Sequence, residues 1–345
     1  MKIANRPIGP DHPPYVIAEL SANHNGSLET ALSIVEAAKA NGADAVKLQT
    51  YRPDTITLDA DGEEFRIQGG LWDGRRLYEL YEEAHMPSDW HAPLFARARE
   101  MGITIFSSPF DATAVDLLED LNAPAYKIAS FEAVDLPLIR TVAATGKPMI
   151  ISTGMADAEE IDEAIAAARE GGCRELAILH CVSGYPAPAA DYNLRTIPDL
   201  IERTGEIVGL SDHTLDNTTA ITSVALGARI IEKHFMLARS DGGPDSAFSL
   251  EPPELKALCQ GARTAFEALG TVNYGRKSSE QGNVKFRRSL YIVQDLKAGD
   301  TLTAEAVRSV RPGYGLAPKH LDAVLGRRLK TDVARHTALR WDLLA

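Results

Sequence analysis

The sequence predicts an α/β protein: a TIM (β/α)8 barrel over residues 1–270, a linker over 271–282 and a small, mostly-β domain over 283–345. Three observations predict it. Eight short apolar runs recur between Tyr15 and Leu269, amphipathic stretches separate most of them, and after Leu269 the pattern changes to short segments broken by Gly-Asp and Pro-Gly turns. Eight strand–helix units in about 255 residues suit a barrel, whereas a doubly wound sheet usually has fewer strands and a Gly-rich first turn.

The runs are YVIAEL (15–20), AVKLQT (45–50), ITIFSSP (103–109), AYKIAS (125–130), PMIIST (148–153), LAILHC (176–181), EIVGLSD (206–212) and IIEKHF (230–235). Each is rich in Ile, Val or Leu, as a strand covered on both faces should be. SLETALSIVEAAKANG follows the first and DAEEIDEAIAAAREGG the fifth; both open on cap residues and acids and close on Gly, the marks of helix ends. A longer insert, 51–87, contains GGLWDG and the acids of YEEAH and reads as an irregular loop or small subdomain over the barrel mouth. TVNYGRKSSEQGN is a polar linker, and RRSLYIVQDLKAGDTLTAEAVRSVRPGYGLAPKHL supplies the short strands of the tail before the amphipathic LDAVLGRRL.

Composition narrows the function classes. Of 345 residues, 45% are hydrophobic and 24% charged, as in a folded globular protein. No run of apolar residues is long enough to span a membrane, and MKIANRPIGPDHPPYVIAEL lacks the apolar core of a signal peptide. Cys173, Cys181 and Cys259 make no disulfide framework, which fits a reducing, cytoplasmic setting. The net charge of −12 argues against a nucleic-acid partner. It is unevenly spread: residues 283–345 hold 12 Lys and Arg against 6 Asp and Glu, leaving 24 against 42 for residues 1–282.

Catalytic groups of such barrels sit at the C-terminal strand ends, where all eight runs here are polar: Glu19; Lys47 and Gln49; Ser107 and Ser108; Lys127 and Ser130; Ser152 and Thr153; His180, then Ser183 and Tyr185; Ser211, Asp212 and His213; Glu232, Lys233 and His234. Ser211 and His213 are two apart, as are Glu232 and His234, so each pair shares a strand face and two imidazoles can converge on a divalent metal with open positions. Lys47 and Lys127, with Ser108, Ser130, Ser152 and Ser211, offer the cations and hydroxyls that a small phosphorylated carboxylate needs. Neither a Walker A motif nor G-x-G-x-x-G is present, so a nucleotide is not indicated.

These residues lie in blocks that resemble the sialic acid synthase family, the phosphoenolpyruvate-dependent nonulosonate synthases. The resemblance covers nearly the whole chain: IAELSANHNGSLE, AVKLQTY, FSSPFD, YKIASFE, ISTGM, GLSDHT, IEKHF and GGPDSAFSLEP in the barrel, and RRSLY, KAGDTLT and RPGYGL in a tail similar to the antifreeze-like (SAF) domain. AELSANHNGS, QTYRPDTITLD, LYELYEEAHMPSDWH, ASFEAVDLPLI and the closing WDLL are most similar to the pseudaminic acid branch.

The resemblance implies a metal-dependent transferase that condenses phosphoenolpyruvate with an N-acylated aldose, releasing phosphate by C–O cleavage. The branch's aldose is 2,4-diacetamido-2,4,6-trideoxy-L-altrose. It implies His213 and His234 as ligands of Mn2+, with Mg2+ or Co2+ as alternatives. Lys47, Ser108, Lys127, Ser130, Ser152 and Ser211 correspond to phosphoenolpyruvate contacts, with Glu19, Lys47 and Lys127 catalytic. Gln49, Tyr185, Asp245 and Arg311 fall at the sugar, Arg311 reaching it from a partner's tail in a domain-swapped homodimer. Glu19 or a metal-bound hydroxide is the expected base for the attacking water. Departures are Ser108, where many members have Thr, and HCVSGYPAP, whose His180 and Gly184 bear on the choice of sugar. The alternatives are the same condensation on the N-acetylneuraminate or legionaminate precursor, a barrel aldolase or lyase, and a noncatalytic carbohydrate-binding protein.

Overall fold

The computed structural model describes residues 1–345, which divide into two compact units, Met1–Gly270 and Thr271–Ala345. In the first, eight strands close a parallel barrel: β1 (Tyr15–Glu19), β2 (Ala45–Thr50), β3 (Thr104–Pro109), β4 (Tyr126–Ile128), β5 (Met149–Ser152), β6 (Leu176–Cys181), β7 (Ile207–Ser211) and β8 (Ile230–His234). Closure is made by β8 on β1, with Ile230 opposite Tyr15 and His234 opposite Glu19. The expected TIM barrel is therefore the observed fold.

The helices begin where short polar side chains can serve amides that the first turn leaves unpaired. Ser27 accepts from Thr30 N ahead of Leu28–Ala40, Asp111 from Thr113 N and Ala114 N ahead of Ala112–Asp120, and Asp157 forms a reciprocal box with Glu160 ahead of Ala158–Glu170. Their apolar faces pack on outward-facing strand residues such as Val46, Ile105, Ile128, Ile178 and Ile231, the main core.

Inward-facing residues form a second core from Ile17, Ala45, Phe106, Ala125, Ile150, Leu179 and Ile230, closed below by Ile3 and Ile8 of an N-terminal hairpin (Lys2–Ile3 with Arg6–Pro7). Burying each larger aliphatic side chain contributes about 1.5–3 kcal/mol. A Cβ at Gly209 would overlap Leu179 and the Ile230 carbonyl, so glycine permits the close approach of β7 there. The pleat then dictates what lies above this core. Two positions beyond each inward apolar residue come Glu19, Lys47, Ser108, Lys127, Ser152, Cys181 and Glu232, with Ser211 two beyond Gly209.

The fourth strand is shorter than the run at 125–130 suggests, because Ser130 already opens a 3-10 turn, Ser130–Glu132. The insert after β2 is a small subdomain: helix Pro53–Ile56, 3-10 turns Glu63–Phe65 and Gly70–Trp72, a bridge between Arg66 and Arg76, and helix Leu77–Ala84. In the second unit β9 (Ser289–Ile292) pairs antiparallel with β10 (Val307–Val310). Isolated bridges such as Leu296–Val333 and Thr301–Arg328 extend this pairing around a core of Leu290, Ile292, Leu302, Leu329 and Leu339. Ser278–Phe286 forms 3-10 turns. No helix is long and apolar enough to cross a membrane.

Candidate active site

A buried cluster of two lysines and two glutamates sits at the C-terminal end of the barrel. Lys47 Nζ lies 2.9 Å from Glu19 Oε2 and 3.3 Å from Glu232 Oε1, and donates to Ser108 Oγ at 3.3 Å. Lys127 Nζ donates to Glu232 Oε1 at 2.8 Å, and Gln49 Nε2 donates to Glu19 Oε1 at 3.0 Å. Isolated charges would be expelled from such an interior, so the four groups stay by pairing. Burial opposes the Lys47 charge, but Glu19 and Glu232 outweigh it and raise its pKa. Burial wins at Lys127, whose pKa is lowered despite Glu232. Burial likewise works against the Glu232 carboxylate, yet the two lysines hold its pKa below the ordinary value. The cluster neutralises itself, so a polyanionic ligand binding there needs further cations.

Beside it is a cradle of hydroxyls. Ser130 Oγ accepts from Gly154 N at 3.2 Å, while Ser152 Oγ and Ser183 Oγ are buried without a hydrogen-bond partner. A Cβ on Gly154 would overlap the hydroxyls of Ser183 and Ser130. Leaving a buried hydroxyl unpaired costs about 1–3 kcal/mol, which a ligand oxygen would recover. Ser211 is buried at the end of β7, opposite Cys181 in the ladder.

Across the mouth the rings of His213 and His234 lie with centroids 5.5 Å apart. His213 Nδ1 is 2.8 Å from the Val182 carbonyl, which can only accept, so Nδ1 carries a proton and Nε2 is the ring nitrogen left to face a ligand. His234 Nδ1 is buried without a hydrogen bond, its nearest carboxylate oxygen being Asp245 Oδ2 at 3.5 Å. Two imidazoles on one ion at metal–nitrogen distances of ~2.1 Å would have centroids roughly 5 Å apart, so the pair fits a divalent metal. No group of three or more His, Cys, Asp or Glu side chains is arranged to hold a metal, so the fit rests on the two imidazoles alone.

Aromatic side chains wall this end. Tyr185 stacks at 4.3 Å on His213, 5.2 Å from Phe248 and 5.8 Å from Trp72. Trp72 Nε1 donates to the Pro244 carbonyl at 3.1 Å, so the insert is tied over the loop that carries Asp245.

The structure thus gathers Glu19, Lys47, Gln49, Ser108 and Lys127 with Ser130, Ser152, Tyr185, Ser211, His213, His234 and Asp245 around one mouth. Arg311 belongs to the second unit, exposed just after β10. His180 is a correction. With Leu179 and Cys181 facing inward, it turns outward and contacts the Tyr192 carbonyl instead of facing the barrel interior.

Four residues outside the predicted site set also line the mouth. Glu232 was visible as a strand-end acid, and the two-residue spacing to Ile230 could have placed it inside. Ser183 carried no signal beyond lying after β6. Cys181 is turned toward His213 and Ser130: burial disfavours its thiolate, but His213, Ser130 and Lys127 lower its pKa. Glu132, in the turn after β4, has a buried unpartnered Oε2, and burial pushes its pKa up to about 7 against Lys47 and Lys127.

Comparison with known proteins agrees with this geometry. The NeuB family matches residues 34–274 and the SAF domain residues 287–345. The pseudaminic acid synthase of Campylobacter jejuni (strain 81-176) is 45% identical over 340 residues, covering 99% of this chain and 98% of that protein. That of Helicobacter pylori is 43% identical over 332 residues, covering 96% and 97%. Among solved structures, the N-acetylneuraminic acid synthetase of Leptospira borgpetersenii, in complex with citrate, superposes with a TM-score of 0.73 at 30% identity, covering 83% of this chain and 95% of that one. The chain belongs to the NeuB family.

Proposed function

We propose that this member of the NeuB family is a pseudaminic acid synthase, a transferase that condenses phosphoenolpyruvate with 2,4-diacetamido-2,4,6-trideoxy-L-altrose to give pseudaminic acid and phosphate. The observation that carries the reading is the juxtaposition of the Lys47–Lys127 cluster and the hydroxyl cradle with two facing imidazoles. One part suits a phosphorylated carboxylate and the other an aldehyde that must be polarised. The sugar follows the full-length likeness to pseudaminic acid synthases.

In this reading Lys47, Lys127 and the hydroxyls of Ser108, Ser130, Ser152 and Ser211 bind phosphoenolpyruvate, with Ser183 joining them. Gln49, Tyr185 and Asp245 orient the sugar, and the aromatic wall suits a deoxy sugar rich in C–H surface. His213 and His234 would hold the divalent metal, Mn2+ by preference, which when bound supplies Lewis acidity toward the aldehyde. The enol carbon C3 attacks the aldehyde carbon, water adds at C2, and the C2–O bond to phosphate breaks. Glu19, fixed by Lys47 and Gln49, lies beside this centre and takes the water's proton. The lysines and hydroxyls stabilise the departing phosphate.

A self-neutral cluster in an acidic barrel needs a further cation for so charged a ligand. The divalent metal supplies one, and Arg311, reaching the sugar from the basic tail of a second copy in a domain-swapped homodimer, adds positive charge at the mouth. Phe131, Val134, Met155 and Leu215, exposed on the loops after β4, β5 and β7, offer an apolar rim for that tail. With its cysteines unpaired, the enzyme works in the cytoplasm. The test is phosphate release and product mass with phosphoenolpyruvate, Mn2+ and each of the three nonulosonate precursors. Turnover with the altrose alone, or by far the fastest with it, is expected. Turnover only with N-acetylmannosamine would overturn the choice of sugar, and no phosphate release with any of them the reaction itself.

A further inference from the structure

We propose that Lys233 is a positioning residue, which ties the strand carrying His234 to the loop carrying His213 and so sets how the two imidazoles face each other. The inference rests on the reading of that pair as metal ligands.

Lys233 lies between Glu232 and His234 in β8, and strand alternation turns it away from the barrel interior. It is 1% exposed, and its ammonium meets three close acceptors, with Thr214 Oγ1 farther off at 3.5 Å. Asp212 Oδ2 is at 2.9 Å, the Thr214 carbonyl at 2.7 Å and the Asp216 carbonyl at 3.0 Å. Three is the full donor complement of an ammonium, and all three acceptors belong to the loop that follows β7. The loop is folded around this one cation: Asp212 Oδ1 accepts from Thr214 N at 2.9 Å, and Asp212 N donates to the Glu232 carbonyl at 2.9 Å. His213 sits between two of the clamped residues. Its remaining attachments are its backbone N–H to Tyr192 Oη at 2.6 Å, its carbonyl, which accepts from Ala187 N at 3.1 Å, and Nδ1–H to the Val182 carbonyl, all from the segment that follows β6.

Stability alone does not account for this arrangement. A buried ion pair is often no more stabilising than well-packed apolar residues of similar volume. An apolar side chain, however, cannot fix two loop carbonyls relative to its own strand. Groups that orient metal ligands from behind typically govern affinity by ~10–100-fold.

The test measures Mn2+ affinity by electron paramagnetic resonance on the full-length protein without substrates, and phosphoenolpyruvate affinity separately by calorimetry in chelator. The variants are Lys233→Met, Lys233→Arg and the double Asp212→Asn/Lys233→Met. The double variant leaves no buried charge unpaired and decides the matter if Lys233→Met does not fold. Expected is Mn2+ binding weakened ~10–100-fold in the apolar variants, with phosphoenolpyruvate affinity within about twofold and partial recovery in Lys233→Arg. A folded double variant that binds Mn2+ like the wild type would overturn the proposal. So would parallel loss of both affinities, the signature of a merely structural role. If the wild type binds Mn2+ no better than His213→Ala/His234→Ala, the metal reading fails, and this inference with it.

Discussion

Replacing Glu132 by Gln should abolish a pH dependence of stability that arises from one buried carboxyl. Burial, reinforced by Asp135 and opposed by Lys47 and Lys127, lifts this group from an ordinary 4.5 to about 7. Between those values the native state holds a proton that the unfolded chain has released, so stability falls as pH rises through the window. Below it both states are protonated; above it both are ionised and the whole cost is present. A displacement of this size corresponds to about 3 kcal/mol, to order of magnitude. Urea unfolding of wild type and Glu132→Gln at pH 4.5 and pH 8 measures it, and the difference between the two proteins cancels every other titrating group. The two should be nearly equal at pH 4.5, with the variant more stable by about 3 kcal/mol at pH 8. A difference that is the same at both pH values would refute the claim that Glu132 is buried without a partner for its charge.

Three further outcomes test the site. Gly154→Ala pushes a Cβ against the Ser130 and Ser183 hydroxyls and should raise the KM for phosphoenolpyruvate about tenfold, with the sugar KM and melting temperature little changed; an unchanged KM would dissociate the cradle from that substrate. Glu19→Gln should bind both substrates yet lose on the order of 100-fold or more in kcat, whereas near-normal turnover would remove Glu19 from the proton transfer. A chain ending at residue 282 should lose sugar affinity and the dimer together; a dimer with unaltered sugar affinity would eliminate the swapped tail.

The fold was legible because parallel barrel strands are buried on both faces and the helices that cover them are capped by short polar residues. Those features leave local marks in sequence: eight apolar runs, and Ser or Asp ahead of amphipathic stretches. The site was legible for a related reason. Polar groups at the ends of apolar strands break a pattern, so Glu19, Lys47, Lys127, His213 and His234 stood out before any coordinates. Direction was less legible. His180 looked equivalent to its neighbours, and only the inward placement of Leu179 and Cys181 turned it outward. Ser130 read as the end of a strand and proved to start a turn, since pairing between β4 and β5 stops at Ile128.

The sequence by itself determined the barrel and most of the strand-end residues at the mouth, because period and spacing are properties of a single strand, and its motif blocks carried the family resemblance. Only the tertiary structure decided which charges meet. That Glu232 lies between Lys47 and Lys127, that Glu132 is left unpaired, and that Lys233 faces away to clamp the loop of His213 depend on side chains from different strands converging in three dimensions. The strength of each interaction depends on the burial that this convergence creates, and no local pattern encodes it.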